Sequence, residues 1–315
     1  MSKDQKSELT QLEGVGPVTI EKLSSIGIDT ILGVAVSHPS TLVDVCGMTE
    51  PTARKVIKAA REMMGLGFVD GITNEEQLKV KKISTGSEAF DKILDGGVKS
   101  GAITEVYGQF GSGKTQLGHQ LTVNVLKDNP EGVVVYIDTE NTFSAIRIRQ
   151  MSKAKKLNEE ETLKKILIAK AYNSDHQIFL GEQIETLFKQ NKDVVLIIVD
   201  SLMAHFRAEY VGRGTLADRQ QKLNKHLHTL QKIADIHNIP VFVTNQVTTN
   251  VGLAFGNPEQ PIGGNILSHT AREIIYLRKG KAGSRVAKLV DSNYLQDDEC
   301  SYLITENGIR DIDDR

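Results

Sequence analysis

Residues 108–116 read GQFGSGKTQ, in which Gly108, Gly113, Lys114 and Thr115 have the spacing G-x-x-x-x-G-K-T. Glycines at these points let backbone N–H groups wrap phosphate oxygens, the lysine reaches the β and γ oxygens, and the hydroxyl can hold Mg2+. The motif carries that meaning when a strand precedes it and a helix follows, as EVYG and the long amphipathic run after Lys114 provide. The candidate ATP-binding set is therefore Gly108, Gln109, Phe110, Gly111, Ser112, Gly113, Lys114, Thr115 and Gln116. Three further strand-like runs end in polar residues. DVVLIIVDS (193–201) ends at Asp200, placed for a Mg2+-bound water alongside Thr115. VYIDTEN (135–141) ends with Asp138 and Glu140, and a carboxylate at a strand's C-terminal end beside a phosphate loop is a candidate base for an attacking water. VFVTNQV (241–247) supplies Gln246, able to bond a γ-phosphate and report its loss. Lys114, Glu140 and Gln246 are the catalytic candidates, and the set describes an ATPase core.

These groups need a sheet to hold them. From residue 83 onward, apolar runs (GAITEVYG, GVVVYID, KILIAKA, DVVLIIVD, IPVFVTNQ) alternate with helix-length amphipathic stretches. That alternation predicts an α/β fold with a mostly parallel sheet. After residue 271 the helical periods stop, and REIIYLRKGK, SRVAKLVDS and CSYLITENG predict antiparallel strands at one edge. Residues 1–66 read instead as four short helices split by glycine and proline, a small all-α domain. Within it, LEGVGPVTIEKL (12–23) has the helix-hairpin-helix pattern: Gly14 and Gly16 permit the turn, and helix N–H groups can face a phosphate without a basic side chain. A plain helical-hairpin turn in an interaction domain reads the same way. Residues 67–82 read as a linker, in which Phe68 sits between glycines with no core of its own.

Composition narrows the class. Of 315 residues, 39% are hydrophobic and 25% charged, the balance of a soluble globular protein. The longest apolar runs are far short of the roughly 20 residues of a membrane span. The N-terminus has no apolar leader, and Cys46 and Cys300 lack metal-type spacing; both point to a cytoplasmic protein. With a net charge of −2, nucleic-acid binding has to rest on local clusters. One spans 272–288, where Arg272, Arg278, Lys279, Lys281, Arg285 and Lys288 face only Glu273. It reads as a nucleic-acid contact or as a solvated hairpin.

GQFGSGKTQ, YIDTE-TF, IIVDS, EYVGRGTLADRQQKL, VTNQV, IGGN and RVAKLVDS run in one order, with GVGP ahead of them. In this the chain resembles the archaeal RadA recombinases and their eukaryotic counterparts, a RecA-type family of homologous-recombination ATPases, over residues 9–309. The resemblance implies a DNA-dependent ATPase that forms helical filaments on single-stranded DNA and catalyses homologous pairing and strand exchange in repair. It implies ATP and Mg2+ as cofactors, single- and double-stranded DNA, further copies of itself in a filament or ring, and recombination mediators as partners. Glu140 would polarise water and Gln246 would link the γ-phosphate to a DNA-facing loop. Arg213, Arg219 and Lys225, after a glycine-rich start, and the tract 248–261 with Phe255 suit a stretched single strand. Phe68 and Gly71 match a Phe-x-x-small element that docks on the neighbouring subunit. Asp291 and Asp297 would hold K+ beside the γ-phosphate across that interface.

Departures from the family pattern are equally plain. Ser144 stands where relatives carry an arginine that stacks on adenine, and Asn141 where they carry glycine. Asn293 and Gln296 replace prolines in the segment 291–297, and Asn265 a histidine. The altered segment 291–297 favours the alternative of a recombinase paralogue acting as a mediator with weak exchange activity. The complete phosphate set, Phe68 and both loops oppose it. A ring helicase motor is opposed by the hairpin domain and Phe68, and a helix-hairpin-helix glycosylase or nuclease by the lack of a second catalytic constellation.

Overall fold

The computed structural model describes residues 8–249, 259–263 and 265–312. The chain forms two compact units, one of residues up to 79 together with 185–192, the other of residues 80–184 and from 193 onward.

The N-terminal unit contains the four expected helices, Pro17–Ser25, Ile31–Ala35, Pro39–Cys46 and Glu50–Met63. Three of them have proline in the first turn, where its missing N–H is no loss and its φ is already helical. Their inward faces close over Leu12, Leu23, Val34, Leu42, Val56 and Ile57. Gly14 turns the chain into the first of them at φ +89°, a region that side chains with a Cβ enter at a cost of roughly 1–2 kcal/mol. Residues 71–78, expected within a linker, form a helix. Its stretch is polar and lacks an apolar period, so the pattern hides it. What starts it is Asp70, whose Oδ1 accepts from Ile72 N and Thr73 N, both at 3.0 Å, satisfying N–H groups a first turn leaves open.

The second unit is built on a nine-stranded sheet. Its strands, with the short pairs beside it, are β1 (Lys82–Ile83), β2 (Val98–Lys99), β3 (Ile103–Gly108), β4 (Val133–Asp138), β5 (Ile166–Lys170), β6 (Val194–Asp200), β7 (Val241–Asn245), β8 (Val247–Thr249), β9 (Glu259–Pro261), β10 (Glu273–Lys279), β11 (Arg285–Ser292), β12 (Asp298–Thr305) and β13 (Gly308–Asp311). The order is β13-β12-β11-β10-β3-β7-β6-β4-β5. β10, β3, β7, β6, β4 and β5 run parallel, and β11, β12 and β13 complete the sheet antiparallel. SRVAKLVDS and CSYLITENG are antiparallel as expected, whereas REIIYLRKGK (β10) pairs parallel with β3 and β13 adds a strand beyond the expected runs. Every residue of β3 and of β6 is buried, which is why β6 reads as an apolar run rather than an alternating one; β3 also buries Thr104 and Glu105. Parallel strands share a carboxyl end. The residues that close β3, β4, β6 and β7 are therefore carried to one edge of the sheet, where open α/β sheets bind ligands.

Candidate active site at the strand ends

The phosphate loop leaves β3 at Gly108. A Cβ there would lie 2.1 Å from the Leu277 carbonyl oxygen of β10, so the approach of the two backbones admits only glycine. Gly113 then caps the helix Lys114–Asp128 without a side-chain hydrogen bond. The first N–H groups of that helix are thus left for an anion, with the positive end of its dipole behind them. A cavity of about 580 Å3 opens in front of it, lined by every residue of 108–116 except Ser112. Ser112 is buried, its Oγ without a hydrogen-bond partner among the described residues. Lys114 folds back on the loop and donates from Nζ to the carbonyls of Gly108 at 2.8 Å and Gln109 at 3.1 Å. Burial lowers its pKa, and the carboxylates of Asp200 and Glu140 oppose that fall.

Asp200, at the end of β6, is the hub of a hydroxyl cluster. Its Oδ2 accepts from Thr115 at 2.7 Å, Tyr136 at 2.9 Å and Thr142 at 3.2 Å, and its Oδ1 accepts from Thr244. A hydroxyl and a carboxylate held together at the helix start form a hard oxygen donor set, which suits Mg2+. With the open helix N-terminus and Lys114, the residues present fit a magnesium–nucleotide.

The two carboxylates after β4 have separate jobs. Asp138 is buried and accepts from the backbone N–H groups of Glu140 at 3.2 Å, Thr142 at 3.1 Å and Phe143 at 3.0 Å. It shapes the turn and does not line the cavity. Asn141 enters the left-handed region at φ +57°, which asparagine tolerates better than most residues, so the turn survives without glycine. Glu140 faces the cavity. Its Oε1 accepts from the Ser201 hydroxyl and the Gln246 amide, each at 2.7 Å. The side-chain Oε1 of Gln246 accepts in turn from Arg207 Nη1 at 3.3 Å. Ser201 and Arg207 were not among the sequence candidates. Ser201 was within reach, as the residue directly after Asp200; Arg207 becomes visible only when the helix Ala204–Glu209 is folded against the β7 end.

A family model described as Rad51 matches residues 76–312. The chain belongs to the Rad51 family. Residues 6–62 match a second model, a SAM-like helix-hairpin-helix tandem. Rad51-family proteins are RecA-type recombinases and DNA-dependent ATPases that use ATP and Mg2+. The RecA-type α/β fold with a helix-hairpin-helix domain ahead of it, expected from the sequence, is therefore established.

The remaining candidates of this Rad51-family chain are more dispersed. Arg213 opens a 3-10 turn, Arg213–Thr215, that leads into the helix Leu216–His237. Arg219, on that helix, is half-buried, and its Nε has no partner among the described residues. Lys225 is ion-paired with Glu182 at 3.0 Å. Six residues turn a helix by about 600°, so Arg219 and Lys225 stand roughly 120° apart around it. Phe255 lies outside the described residues. Phe68 is fully exposed and Gly71 is the first residue of its helix. Asp291, on β11, pairs with Ile274 of β10, and Asp297 precedes β12; neither lines the cavity of its own chain. Ser144 is the N-cap of the helix Ala145–Ala154, accepting from Arg147 N at 3.3 Å. The basic stretch 272–288 is divided: Arg278 pairs with Glu299 at 3.3 Å, whereas Arg285 lines the cavity. No described helix is long and apolar enough to cross a membrane.

Proposed function

We propose that this chain is a recombinase of the archaeal RadA type, which assembles on single-stranded DNA and catalyses homologous pairing and strand exchange in recombinational repair. The observation that carries the reading is the Gln246–Glu140 hydrogen bond of 2.7 Å. It joins the candidate water-activating carboxylate to the first residue of the 246–262 segment, so nucleotide state and loop position share one contact. Bound ATP with Mg2+ supplies the phosphoanhydride to be hydrolysed. Lys114 and the helix N–H groups bind its phosphates, and Thr115 and Asp200 supply the metal's oxygen ligands, Asp200 through water. Glu140 takes the proton from the attacking water, oriented by Ser201 and Gln246.

Residues 83–315 form the ATPase core, 67–82 the assembly segment, and 1–66 a domain that guides DNA through Gly14 and Gly16. Arg213, Arg219 and Lys225 contact DNA phosphates, and Phe255 wedges between bases. Phe68 and Gly71 join one copy to the next, a head-to-tail contact that propagates rather than closes. Full exposure of Phe68 supports this, because a side chain outside its own core is available to another. Strand exchange replaces one set of base pairs by a near-equivalent set, so ATP binding selects the active filament and hydrolysis releases it.

Electron microscopy of the chain with single-stranded DNA and a non-hydrolysable ATP analogue should show helical filaments. Phe68→Ala should leave the melting temperature unchanged and shorten or abolish them, since loss of a buried interface aromatic costs about 2 kcal/mol per contact, or roughly 30-fold. Normal filaments from this variant would remove Phe68 from the interface. Asp291 and Asp297 hold K+ from across that interface in this reading. Exchanging potassium for sodium should then slow DNA-stimulated hydrolysis, and equal rates would remove the ion. A second reading, a mediator with weak exchange activity, is favoured by Ser144, which serves as a helix cap in place of an adenine-stacking arginine. Filaments that fail to pair homologous DNA would establish it.

A further inference from the structure

The segment 246–262 touches the cavity region at both of its limbs. The outgoing limb does so through Gln246 and Glu140. The returning limb is β9, paired with β8 so that Glu259 stands opposite Thr249 and Pro261 opposite Val247. Both carboxylate oxygens of Glu259 are engaged. Oε2 accepts from the Tyr276 hydroxyl at 2.7 Å, and Oε1 accepts from the side-chain amide of Gln109. Tyr276 belongs to β10, is nearly buried, and packs on Tyr107 of β3 with ring centroids 5.2 Å apart. It is a fixed post. Gln109 is the second residue of the phosphate loop.

Both limbs are also tied where they start and end. Ile262 N donates to the Gln246 carbonyl at 3.1 Å. The Asn245 amide donates to the Ile262 carbonyl at 2.6 Å and to Glu105 Oε1 at 2.8 Å. Asn245 and Glu105 are fully buried, so this base is held inside the sheet. A displacement of one limb is therefore passed to the other through a hydrogen-bonded ladder.

We propose that Glu259 is a positioning residue that couples the phosphate loop to the DNA-facing loop, with Gln109 as its contact on the nucleotide side. The proposal rests on the reading of the cavity as an ATP site and of 246–262 as DNA-facing. The link begins at Lys114, whose ammonium donates to the Gln109 carbonyl at 3.1 Å. A phosphate competes for that ammonium and withdraws it from Gln109. The Gln109 peptide then loses a cationic donor, and its side chain transmits the change to Glu259. Tyr276 holds the carboxylate while this happens, so the motion is directed into β9. The outgoing limb senses the water site and the returning limb senses the phosphate loop. Coupling between two sites is reciprocal, so DNA on the loop strengthens nucleotide binding by the same factor.

The test uses the full chain, a non-hydrolysable ATP analogue, an oligo-dT strand, and the variants Glu259→Ala, Glu259→Gln and Tyr276→Phe. Hydrogen exchange of β8 and β9 should slow in the parent when the analogue binds. In Glu259→Ala these strands should exchange faster without nucleotide and respond little to the analogue. Calorimetry should show that oligo-dT tightens analogue binding to the parent, and that this tightening falls by about tenfold, or about 1.4 kcal/mol, in Glu259→Ala. Tyr276→Phe should move in the same direction with the ring packing retained. Glu259→Gln, which keeps the size and loses the charge, should fall between. An unchanged stem response and unchanged coupling in Glu259→Ala and Tyr276→Phe would overturn the proposal. A parent that binds the analogue with an unresponsive stem also overturns it and leaves the ATP-site reading standing. A parent that does not bind the analogue overturns both.

Discussion

Among the described residues, two α-helices have a glycine N-cap with no side-chain hydrogen bond, Pro17–Ser25 and Lys114–Asp128. Each presents the same backbone device, a row of N–H groups with a positive dipole end. Their surroundings differ. Lys114–Asp128 runs 15 residues, most of them buried, and its first turn holds a lysine and a hydroxyl bonded to a buried aspartate. Pro17–Ser25 runs 9 residues and has no acidic residue in its first turn. Its neighbourhood includes Glu13, but that carboxylate is ion-paired with Lys55 at 3.0 Å. An exposed helix end favours an anion by only about 0.3–1 kcal/mol. The backbone alone thus gives a weak, adaptable contact, suited to a DNA phosphate met in many registers. Converting it into a site for chemistry takes the side chains gathered from four strand ends.

The comparison breaks first at Glu140. If the side chains around the helix start do the chemistry, Glu140→Gln keeps the shape and removes the base. Hydrolysis should slow by about 100-fold or more, with analogue affinity retained in calorimetry. Parent-like turnover would mean that the helix end and metal suffice, and Glu140 would lose its role. Lys114→Ala should come next, lowering ATP affinity by roughly 10- to 100-fold through loss of a charge-assisted bond to phosphate. Unchanged affinity would make this helix end no different from the N-terminal one.

Much of this candidate site can be read in the sequence because Asp200, Glu140 and Gln246 lie at or within two positions of a strand end. Asp200 follows an apolar run directly, Gln246 follows one after Thr244 and Asn245, and the phosphate loop is continuous, so no long-range information is needed. The longer strands and the first four helices are legible for a similar reason, their apolar periods being long or bounded by proline and glycine; the short pairs β1–β2 and β8–β9 and the strand β13 are not. The misses are contacts between distant residues. Glu259 meets Gln109 across 150 positions, and nothing local marks it. Lys225 reads as a free cation beside two arginines until Glu182 is brought against it. The helix at 71–78 escapes because its start depends on one capping aspartate rather than on a period. Ser144 was legible as a departure, but its use as a cap requires knowing that a helix begins at residue 145.

The smallest expected effect tests the weaker of the two helix ends. Gly16 has φ −93° and ψ 176°, an extended geometry any residue adopts, and a Cβ there would meet nothing within 4 Å. Gly16→Asp is therefore free of strain. Its carboxylate can accept from the N–H groups of Val18 or Thr19, Pro17 having none, and so supply the missing cap. Glycine is itself a tolerated N-cap, so the gain is a few tenths of a kcal/mol, joined by a smaller loss of chain entropy on folding. The melting temperature of the N-terminal unit should rise slightly. If those N–H groups serve DNA phosphates, the same change fills them and adds a repelling charge. DNA affinity of the full chain should then fall by about two- to threefold at low salt, with the difference shrinking as salt rises. Greater stability with unaltered DNA affinity would identify the hairpin as a structural turn, and the likeness between the two helix ends would stop at their backbones.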